Sequence, residues 1–371
     1  PTSQELWPHR FLHNNDSWDG RGTLPNGCRG PILLYTGNEG PIDAFWPSNG
    51  FMIEVLAPKL GGLLLFPEER FYGKSMPLPW SAENLKYLTT AQVLEDYVEV
   101  INHVKSTLPG ASNCPVVAFG GSYGATLTAL LRASHPTAVV GGMAASSELG
   151  YYDKERWAEH GVTEFTFDDI VTGDYGTALT ECLPAIQKVK AVIEATDEET
   201  LVQTFHLCDA TALGANKTDL FTYALEEFPQ IDYPYAIGST PAKPVTYVCE
   251  MLVAAALEDS NTLLKAAANV TELALGFDGS CVPFMYGPGN TPGDGPDLAS
   301  WGWQSCTETL HAFSARGIRE YTFDYSSSKD LCARIFNNIP LPDMSSIARA
   351  FGGYALADGS AGVSHLIWSQ G

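Results

Sequence analysis

The chain lacks the features that mark several large classes of protein. No apolar run reaches the length of about 18 residues that a bilayer-spanning helix needs, so we expect no membrane partner. Neither a Cys-x-x-Cys pair nor a histidine cluster indicates a zinc site, and we expect no metal and no cofactor. The glycine-rich stretch 287–295 lacks the Lys-Ser/Thr ending of a phosphate-binding loop.

Positive charge is also scarce. The chain has 21 lysines and arginines against 43 aspartates and glutamates, and its formal net charge is −22 at pH 7. Nucleic-acid binding needs a basic surface, so we expect no nucleic-acid partner. The acidic balance is compatible with an acidic compartment, where carboxylates partly protonate and repel one another less. An ordinary soluble protein with a negative surface fits the same balance.

Apolar residues and cysteines are plentiful. Hydrophobic residues make up 45% of the 371 positions and charged residues 17%, which favours a large core of two domains, or one domain with a long insertion. The eight cysteines form an even, widely spaced set, and Asn-x-Ser/Thr sequons begin at Asn15, Asn216 and Asn269. Together they predict disulfides, glycosylation and a lysosomal, vacuolar or secreted location. Because the first residue is Pro1 rather than Met, we expect a mature or trimmed form.

The first 150 residues alternate short apolar strands with helices. We predict strands at 31–35, 62–66, 115–119 and 139–145, and helices at 51–60 and 89–105. This alternation indicates an α/β fold with a mainly parallel sheet. Two strands begin just after Cys28 and Cys114, and neighbouring parallel strands start at the same edge of a sheet. We therefore predict a Cys28–Cys114 disulfide if those two strands are adjacent.

The pattern becomes helical after about residue 150. Helical periodicity is predicted at 183–195, 198–205, 218–228 and 245–257. We expect a disulfide-stapled helical cap domain over 151–335, with a mobile loop at 286–296. The chain then returns to the core over 336–371, ending in a strand at 365–371.

The most informative motif is Gly-Gly-Ser-Tyr-Gly at 120–124, between an apolar strand and an Ala/Leu-rich helix. This order predicts a nucleophile elbow, with Ser122 at the tip of a tight turn. The Tyr123 N–H at the start of the helix would then donate to an oxyanion. The alternative interpretation is a glycine-rich turn with an incidental serine.

Several separated motifs resemble the prolyl carboxypeptidase and dipeptidyl peptidase II family of serine peptidases. The matching stretches run along nearly the whole chain, at 35–40, 68–75, 88–96, 120–124, 232–235, 241–245 and 303–308. The resemblance implies an α/β-hydrolase core with a helical cap, and cleavage next to proline at acid pH. It also implies the disulfides Cys182–Cys249, Cys208–Cys281 and Cys306–Cys332.

Two positions depart from the family pattern. Glu69 stands where the family usually has His. Gly302 stands where dipeptidyl peptidase II-like members have an acidic residue that would hold the substrate's free amino group, and this weakens a dipeptidyl interpretation.

The other two members of a catalytic triad are not found in the sequence. The resemblance places the triad Asp shortly after the strand that ends at Gly371, and the triad His further on. None of the eight histidines, His311 in the predicted cap included, lies where the order Ser, Asp, His would put a base. We therefore expect the chain to have been cut after Gly371. A C-terminal fragment or second chain would supply Asp and His, and a homodimer is left open.

Other site residues are suggested by position alone. Gly37 or Asn38 could supply a second oxyanion donor. Tyr123 and Trp303 could line a slot for a proline ring. Carboxylates that could face the substrate are Glu39, Glu68 and Glu308. For these side chains, ordinary salt bridges or core packing are equally good interpretations.

Together these features predict a serine exopeptidase that forms an acyl-enzyme on Ser122. Its proline-containing peptide substrate would be cleaved by Pro-Xaa carboxypeptidase or Xaa-Pro dipeptidyl peptidase chemistry, and Gly302 favours the first. The alternatives are a prolyl endopeptidase of the same family, a catalytically inactive binding protein, and a carboxylesterase or lipase.

Overall fold

The computed structural model describes residues 6–213, 216–275, 281–282, 296–336 and 344–369. The chain groups into two compact units: Pro1–His160 with Gly289–His311 and Tyr325–Gly371, and Gly161–Pro288 with Ala312–Asp324. The second unit is thus shorter than the cap predicted over 151–335, whose last third belongs largely to the first unit. The predicted domain boundaries, with the cap over 151–335 and the return to the core over 336–371, stay a prediction. The predicted loop 286–296 lies outside the described residues, apart from its last residue.

A six-stranded sheet forms the core of the first unit. Its strands are β1 (Phe11–Asn14), β2 (Ile32–Tyr35), β3 (Leu63–Pro67), β4 (Val116–Gly121), β5 (Gly141–Ala145) and β8 (Leu366–Ser369). They lie in the order β1-β3-β2-β4-β5-β8, and all neighbours are parallel except β1 and β3. All residues of β2 and β3 are buried, as expected for strands inside a parallel sheet. The predicted α/β fold is confirmed.

Helices make up most of the remaining described chain. The α-helices are α1 (Ile42–Phe45), α2 (Ala57–Leu60), α3 (Thr90–Thr107), α4 (Tyr123–Ser134), α5 (Thr166–Ala178), α6 (Cys182–Ala195), α7 (Glu198–Thr204), α8 (Asp219–Gln230), α9 (Pro244–Ala256), α10 (Ser260–Leu275), α11 (Pro296–Thr307), α12 (Tyr325–Ile335), α13 (Ser346–Phe351) and α14 (Tyr354–Ala357). A π-helix covers Phe51–Leu56, and 3-10 turns cover Asn84–Tyr87, Glu148–Gly150, Lys154–His160 and Ala210–Leu213.

Local sequence explains the best-predicted helix, α3. Its apolar stripe, which includes Val93, Tyr97 and Val104, is buried. The Thr89 side chain accepts a hydrogen bond from the Gln92 N–H and caps the first turn. The predicted helix 51–60 differs in kind, because its first part is the π-helix and only its last four residues are α-helical.

The edge strand β1 was not predicted. Its residues pair antiparallel with β3, from Phe11 opposite Pro67 to Asn14 opposite Leu64. Its sequence, Phe-Leu-His-Asn, neither alternates strictly between apolar and polar residues nor forms a fully apolar run. Its four side chains are half-buried or exposed. Pairing with β3 decides its conformation, and that contact spans some fifty residues of sequence.

The second unit has a core of packed helices. Buried residues from α5, α6, α8, α9 and α10 form one continuous cluster, with Tyr175, Ile186, Phe228 and Leu252 among them. A two-stranded sheet, β6 (Ala315–Arg316) with β7 (Glu320–Tyr321), completes it. Of the described residues, none forms a helix long and apolar enough to cross a membrane.

All eight cysteines form the four predicted disulfides: Cys28–Cys114, Cys182–Cys249, Cys208–Cys281 and Cys306–Cys332. The condition set for the first pair is met, because β2 and β4 are neighbours with Ile32 opposite Val116.

Removing the Cys28–Cys114 disulfide should destabilise the protein more than removing Cys306–Cys332. The two pairs lie in the same unit, but their sequence separations are 86 and 26. A cross-link that closes a longer loop removes more entropy from the unfolded chain, by about 1 kcal/mol for this difference, within a total of about 2–5 kcal/mol. Urea unfolding of the two double Cys→Ser variants tests the order, and an equal or reversed order would contradict it.

Candidate active site

Ser122 lies between the end of β4 and the first residue of α4. Its backbone angles are φ 54° and ψ −125°, and its side chain is exposed. A non-glycine residue in such a conformation costs about 1–3 kcal/mol, and such strain concentrates at functional sites. The turn is held because the Ser122 N–H donates to the Ala145 carbonyl at 2.9 Å, and its own carbonyl accepts from Ala125 N at 3.0 Å.

The glycines on either side of Ser122 leave no room for a side chain. A Cβ at Gly120 would lie 2.2 Å from the Gly124 carbonyl oxygen. A Cβ at Gly124 would lie 2.3 Å from Asn38 Oδ1 and 2.5 Å from the Gly37 carbonyl oxygen. The tight turn therefore depends on both glycines.

The predicted oxyanion loop lies against this turn. Asn38 Nδ2 donates to the Gly121 carbonyl at 3.1 Å, and Thr36 Oγ1 donates to the Gly124 carbonyl at 2.6 Å. Tyr123 is the first residue of α4, where N–H groups have no acceptor within the helix. The geometry is compatible with an oxyanion beside Ser122, and the donor roles of Tyr123, Gly37 and Asn38 stay predictions.

A carboxylate and an imidazole accompany the serine hydroxyl. Ser122 Oγ donates to Glu148 Oε1 at 3.2 Å, and Glu148 Oε2 lies 3.2 Å from His311 Nε2. The Tyr152 hydroxyl donates to Glu148 Oε2 and lies 3.2 Å from His311 Nε2. We call Ser122, Glu148, Tyr152 and His311 the serine cluster. The Glu148 and His311 side chains are 18% and 26% exposed, so solvent reaches the cluster.

Backbone contacts hold Glu148 in place. It follows β5, and its N–H donates to Thr126 Oγ1 in α4 at 3.1 Å. Ser147 caps the 3-10 turn by accepting from Leu149 N at 3.3 Å. His311 comes just after α11, and its ring lies against Trp301, with 5.7 Å between ring centroids.

The charges of the serine cluster favour an ion pair. Burial alone would lower the pKa of His311, but the attraction of Glu148 and their hydrogen bond outweigh it and raise that pKa. Burial alone would raise the pKa of Glu148, but His311 and the hydroxyls of Tyr152 and Ser122 lower it. Burial raises the pKa of nearby Glu39, with a smaller contribution from Glu148. The cluster can therefore hold one imidazolium and one carboxylate beside the Ser122 hydroxyl.

The other predicted site residues have different surroundings. Trp303 is buried, with its ring against Phe336 and its Nε1 donating to the Leu88 carbonyl at 3.3 Å. Trp301, which was not predicted, lies beside the Tyr123 ring instead, with 5.3 Å between centroids. Their substrate contacts stay predictions.

The remaining predicted carboxylates make structural contacts. Glu308 accepts from Thr90 N at 2.6 Å and from Thr90 Oγ1 at 2.7 Å, at the start of α3. Glu68 is fully buried and pairs with Arg10 at 3.1 Å. These contacts account for both residues without a substrate.

Sequence reasoning missed Glu148 and Tyr152 and assigned no role to His311. One signal for Glu148 was available, because it follows the carboxyl end of a parallel strand, where α/β proteins build their sites. No local pattern marks His311, which reaches Glu148 across 163 residues of sequence.

The Glu148–His311 pair should stabilise the fold most between about pH 4.3 and 6.5, the ordinary pKa values of Glu and His. The raised His311 pKa gives stability that is full below the ordinary His value and is lost as the pH rises through the folded value. The lowered Glu148 pKa gives stability that is lost as the pH falls through its folded value. A double-mutant cycle with Glu148→Gln and His311→Gln should give a coupling of about 1–3 kcal/mol in this window.

The His135–Glu95 pair, at 3.6 Å, is the control, because its carboxylate is 68% exposed whereas that of Glu148 is 18% exposed. Its cycle should give at most about 0.5 kcal/mol. Equal couplings for the two pairs would mean that the cluster provides no special environment.

Similarity to curated proteins covers most of the chain. It is 31% identical to the lysosomal Pro-X carboxypeptidase of Homo sapiens over 362 residues, which are 93% of this chain and 69% of that protein. It is 32% identical to the Mus musculus protein of the same name over 83% of this chain and 62% of that protein. It is 31% identical to the putative serine protease pcp-1 of Caenorhabditis elegans, over 92% of this chain and 66% of that protein. The chain thus spans about two thirds of the length of these relatives.

Among solved structures, proline iminopeptidase of Mycobacterium smegmatis matches with a TM-score of 0.36 and 12% identity, over 98% of this chain and 87% of that chain. A haloalkane dehalogenase loop variant from Bradyrhizobium elkanii matches with a TM-score of 0.27 and 10% identity, over 92% and 80%.

The core of the first unit is the mainly parallel α/β sheet that was predicted, with the Ser122 turn directly after β4. The profile of the family described as serine carboxypeptidase S28 matches residues 1–356. The chain therefore belongs to the S28 family of serine peptidases.

Proposed function

We propose that this chain carries the nucleophile of a peptidase that cleaves peptides next to proline through an acyl-enzyme on Ser122. The observation that carries the proposal is the exposed Ser122 hydroxyl, on a strained turn between a helix N-terminus and a carboxylate. Relatives named Pro-X carboxypeptidase support the choice of proline.

In the proposed reaction, Ser122 Oγ attacks the carbonyl carbon of the proline residue. Its proton passes to a base, and the Tyr123 N–H with a Gly37 or Asn38 N–H stabilises the oxyanion. The peptide C–N bond then breaks, the amine leaves with a proton, and water hydrolyses the ester. We propose that a triad Asp and His beyond Gly371 handle these protons, as the family resemblance implies.

For the direction of cleavage, we propose removal of a C-terminal residue from Pro-Xaa. Gly302 supplies no carboxylate for a substrate's free amino group, and the relatives' names point the same way. Xaa-Pro dipeptidyl cleavage and prolyl endopeptidase activity are the alternatives within the family.

We further propose an acidic lysosomal, vacuolar or secreted environment. Four disulfides favour an oxidising compartment, and the named mammalian relatives are lysosomal. Asn15, Asn216 and Asn269 are exposed, which is compatible with glycosylation.

A catalytically inactive binding protein is the second candidate. It is favoured by one observation, because the described partner of Ser122 Oγ is the Glu148 carboxylate rather than an imidazole. A test of Ser122 reactivity separates the two candidates.

Ser122→Ala should abolish both fluorophosphonate labelling and turnover of an amino-blocked Pro-Phe peptide at acid pH, because the attacking oxygen is gone. Exposed Ser146, which lies outside the proposed machinery, provides the control. Ser146→Ala should label and turn over like the wild type. A folded wild-type protein, assayed with all fragments that co-purify, that neither labels nor cleaves would favour the binding protein.

We compare two forms of one peptide, the first with a blocked amino group and a free carboxylate, the second with a free amino group and a blocked carboxylate. The first should be cleaved at least about tenfold faster than the second. The physical reason is that an exopeptidase loses a charge-assisted hydrogen bond when the recognised terminus is blocked. Comparing kcat/KM for the two peptides, each with a proline-to-alanine control, measures both direction and proline preference. The opposite order would indicate dipeptidyl cleavage, and equal rates would indicate an endopeptidase.

A further inference from the structure

A second carboxyl group lies buried beneath the nucleophile elbow. Glu69, in the segment after β3, is fully buried. Its Oε1 accepts from the Tyr123 hydroxyl at 3.1 Å and from Gln304 Nε2 at 2.9 Å. Its Oε2 has no hydrogen-bond partner in the described part of the chain. Burying a carboxylate oxygen without a hydrogen-bond partner costs free energy, so the protonation state of Glu69 needs an explanation.

The contacts of Glu69 reach the elbow through one residue. Gln304 Nε2 also donates to the Tyr123 hydroxyl at 2.7 Å, and the Tyr72 hydroxyl donates to Gln304 Oε1. We call Glu69, Tyr72, Tyr123 and Gln304 the Glu69 network. It joins the first residue of α4, which directly follows Ser122, to the last turn of α11. A change in the charge of Glu69 would therefore act directly on Tyr123, whose N–H is the proposed oxyanion donor.

The groups that face Glu69 are acids. Tyr72 lies on its own segment, while Tyr97 comes from α3, Tyr123 from α4, Glu308 from just after α11 and Glu39 from the loop after β2. Glu69 forms no ion pair with any described residue. The guanidinium of its neighbour Arg70 is held by Asp96 at 2.6 Å and by Gln92 at 2.7 Å.

The adjacent Glu68 shows the contrast. It is equally buried, but it pairs with Arg10 at 3.1 Å and accepts from the N–H groups of Ile42 at 3.1 Å and Lys74 at 2.9 Å. Two neighbouring carboxyls thus have opposite surroundings. Glu68 has a cation and several donors, whereas Glu69 has neither a cation nor a partner for its second oxygen.

We propose that Glu69 carries a proton and acts as a positioning residue, whose neutral carboxyl holds Tyr123, and with it the Ser122 turn, against α11. The proton sits on Oε2, since Oε1 already accepts two hydrogen bonds. Burial supports this state because it raises the pKa of Glu69 well above the ordinary range, while the hydrogen bonds from Tyr123 and Gln304 oppose the shift. The stability part stands on the structure alone, and the activity part rests on the proposed function.

The sign of the pH dependence follows from linkage. A carboxyl whose folded pKa lies above its unfolded value favours folding most below the unfolded value, about 4.3. That contribution is lost as the pH rises towards the folded pKa. Ionising Glu69 would also leave a charge beside Tyr123, so reactivity of Ser122 should fall together with stability.

The test compares the full chain, with any fragment that co-purifies, as wild type, Glu69→Gln and the matched control Glu68→Gln. Unfolding is measured from pH 4 to pH 8, together with the rate of fluorophosphonate labelling of Ser122. Glu69→Gln should match the wild type near pH 4. Its unfolding equilibrium constant should then fall relative to the wild type by up to about tenfold per pH unit. Its labelling should also lose a smaller fraction of its rate than the wild type between pH 6 and pH 8.

Glu68→Gln should weaken folding because it removes one partner of an ion pair. Above pH 6 it should keep the wild-type slope, because it leaves Glu69 in place. If Glu69→Gln is less stable than the wild type at pH 8, or leaves the slope unchanged, Glu69 is ionised and the proposal is wrong. If Glu69→Gln fails to fold, Glu69→His takes its place, because His is the residue usual in the family at this position. The loss of stability between pH 4 and pH 8 should then disappear, and an unchanged loss would overturn the proposal. Absence of labelling in every variant would count against the proposed function alone, since the unfolding data still decide the state of Glu69.

Discussion

The close approach of backbone to backbone around Ser122 is the constraint on which the candidate site depends. The Gly120 Cα and the Gly124 carbonyl leave no space for a Cβ between them, and the Asn38 side chain closes the other side. This contact brings the end of β4, the start of α4 and the loop after β2 into one place. The serine hydroxyl, the first N–H groups of the helix and the predicted oxyanion loop converge because the strand turns so sharply.

Around that turn the protein arranges its acids in two ways. Glu148 sits at the partly exposed end of the sheet, where His311 and two hydroxyls stabilise its charge. Glu69 sits beneath the turn, where neutral donors reach only one of its oxygens. The surroundings therefore favour the charged form of Glu148 and the neutral form of Glu69. His311 lies beside Glu148, whereas no described cation pairs with Glu69, and this accounts for the difference.

Much of this architecture was predictable from local sequence. The buried strands, the capped helix α3 and the Ser122 turn each carry a short pattern with a direct physical meaning, such as the glycines that flank the serine. The Cys28–Cys114 disulfide followed from the start points of two parallel strands, and the other three pairs from the family resemblance. The misses have a common cause. Strand β1 depends on a distant partner, and His311 is separated from Glu148 by 163 residues of sequence, most of which belong to the second unit.

The outer edge of β8 has a consequence for how the protein behaves in solution. Within the described residues, β8 pairs with β5 on one side only, and its Ile367 is 64% exposed. Such an edge presents a row of N–H and C=O groups that any extended chain can pair with. Protein concentration and the presence of peptides therefore become variables to control in every measurement on this chain.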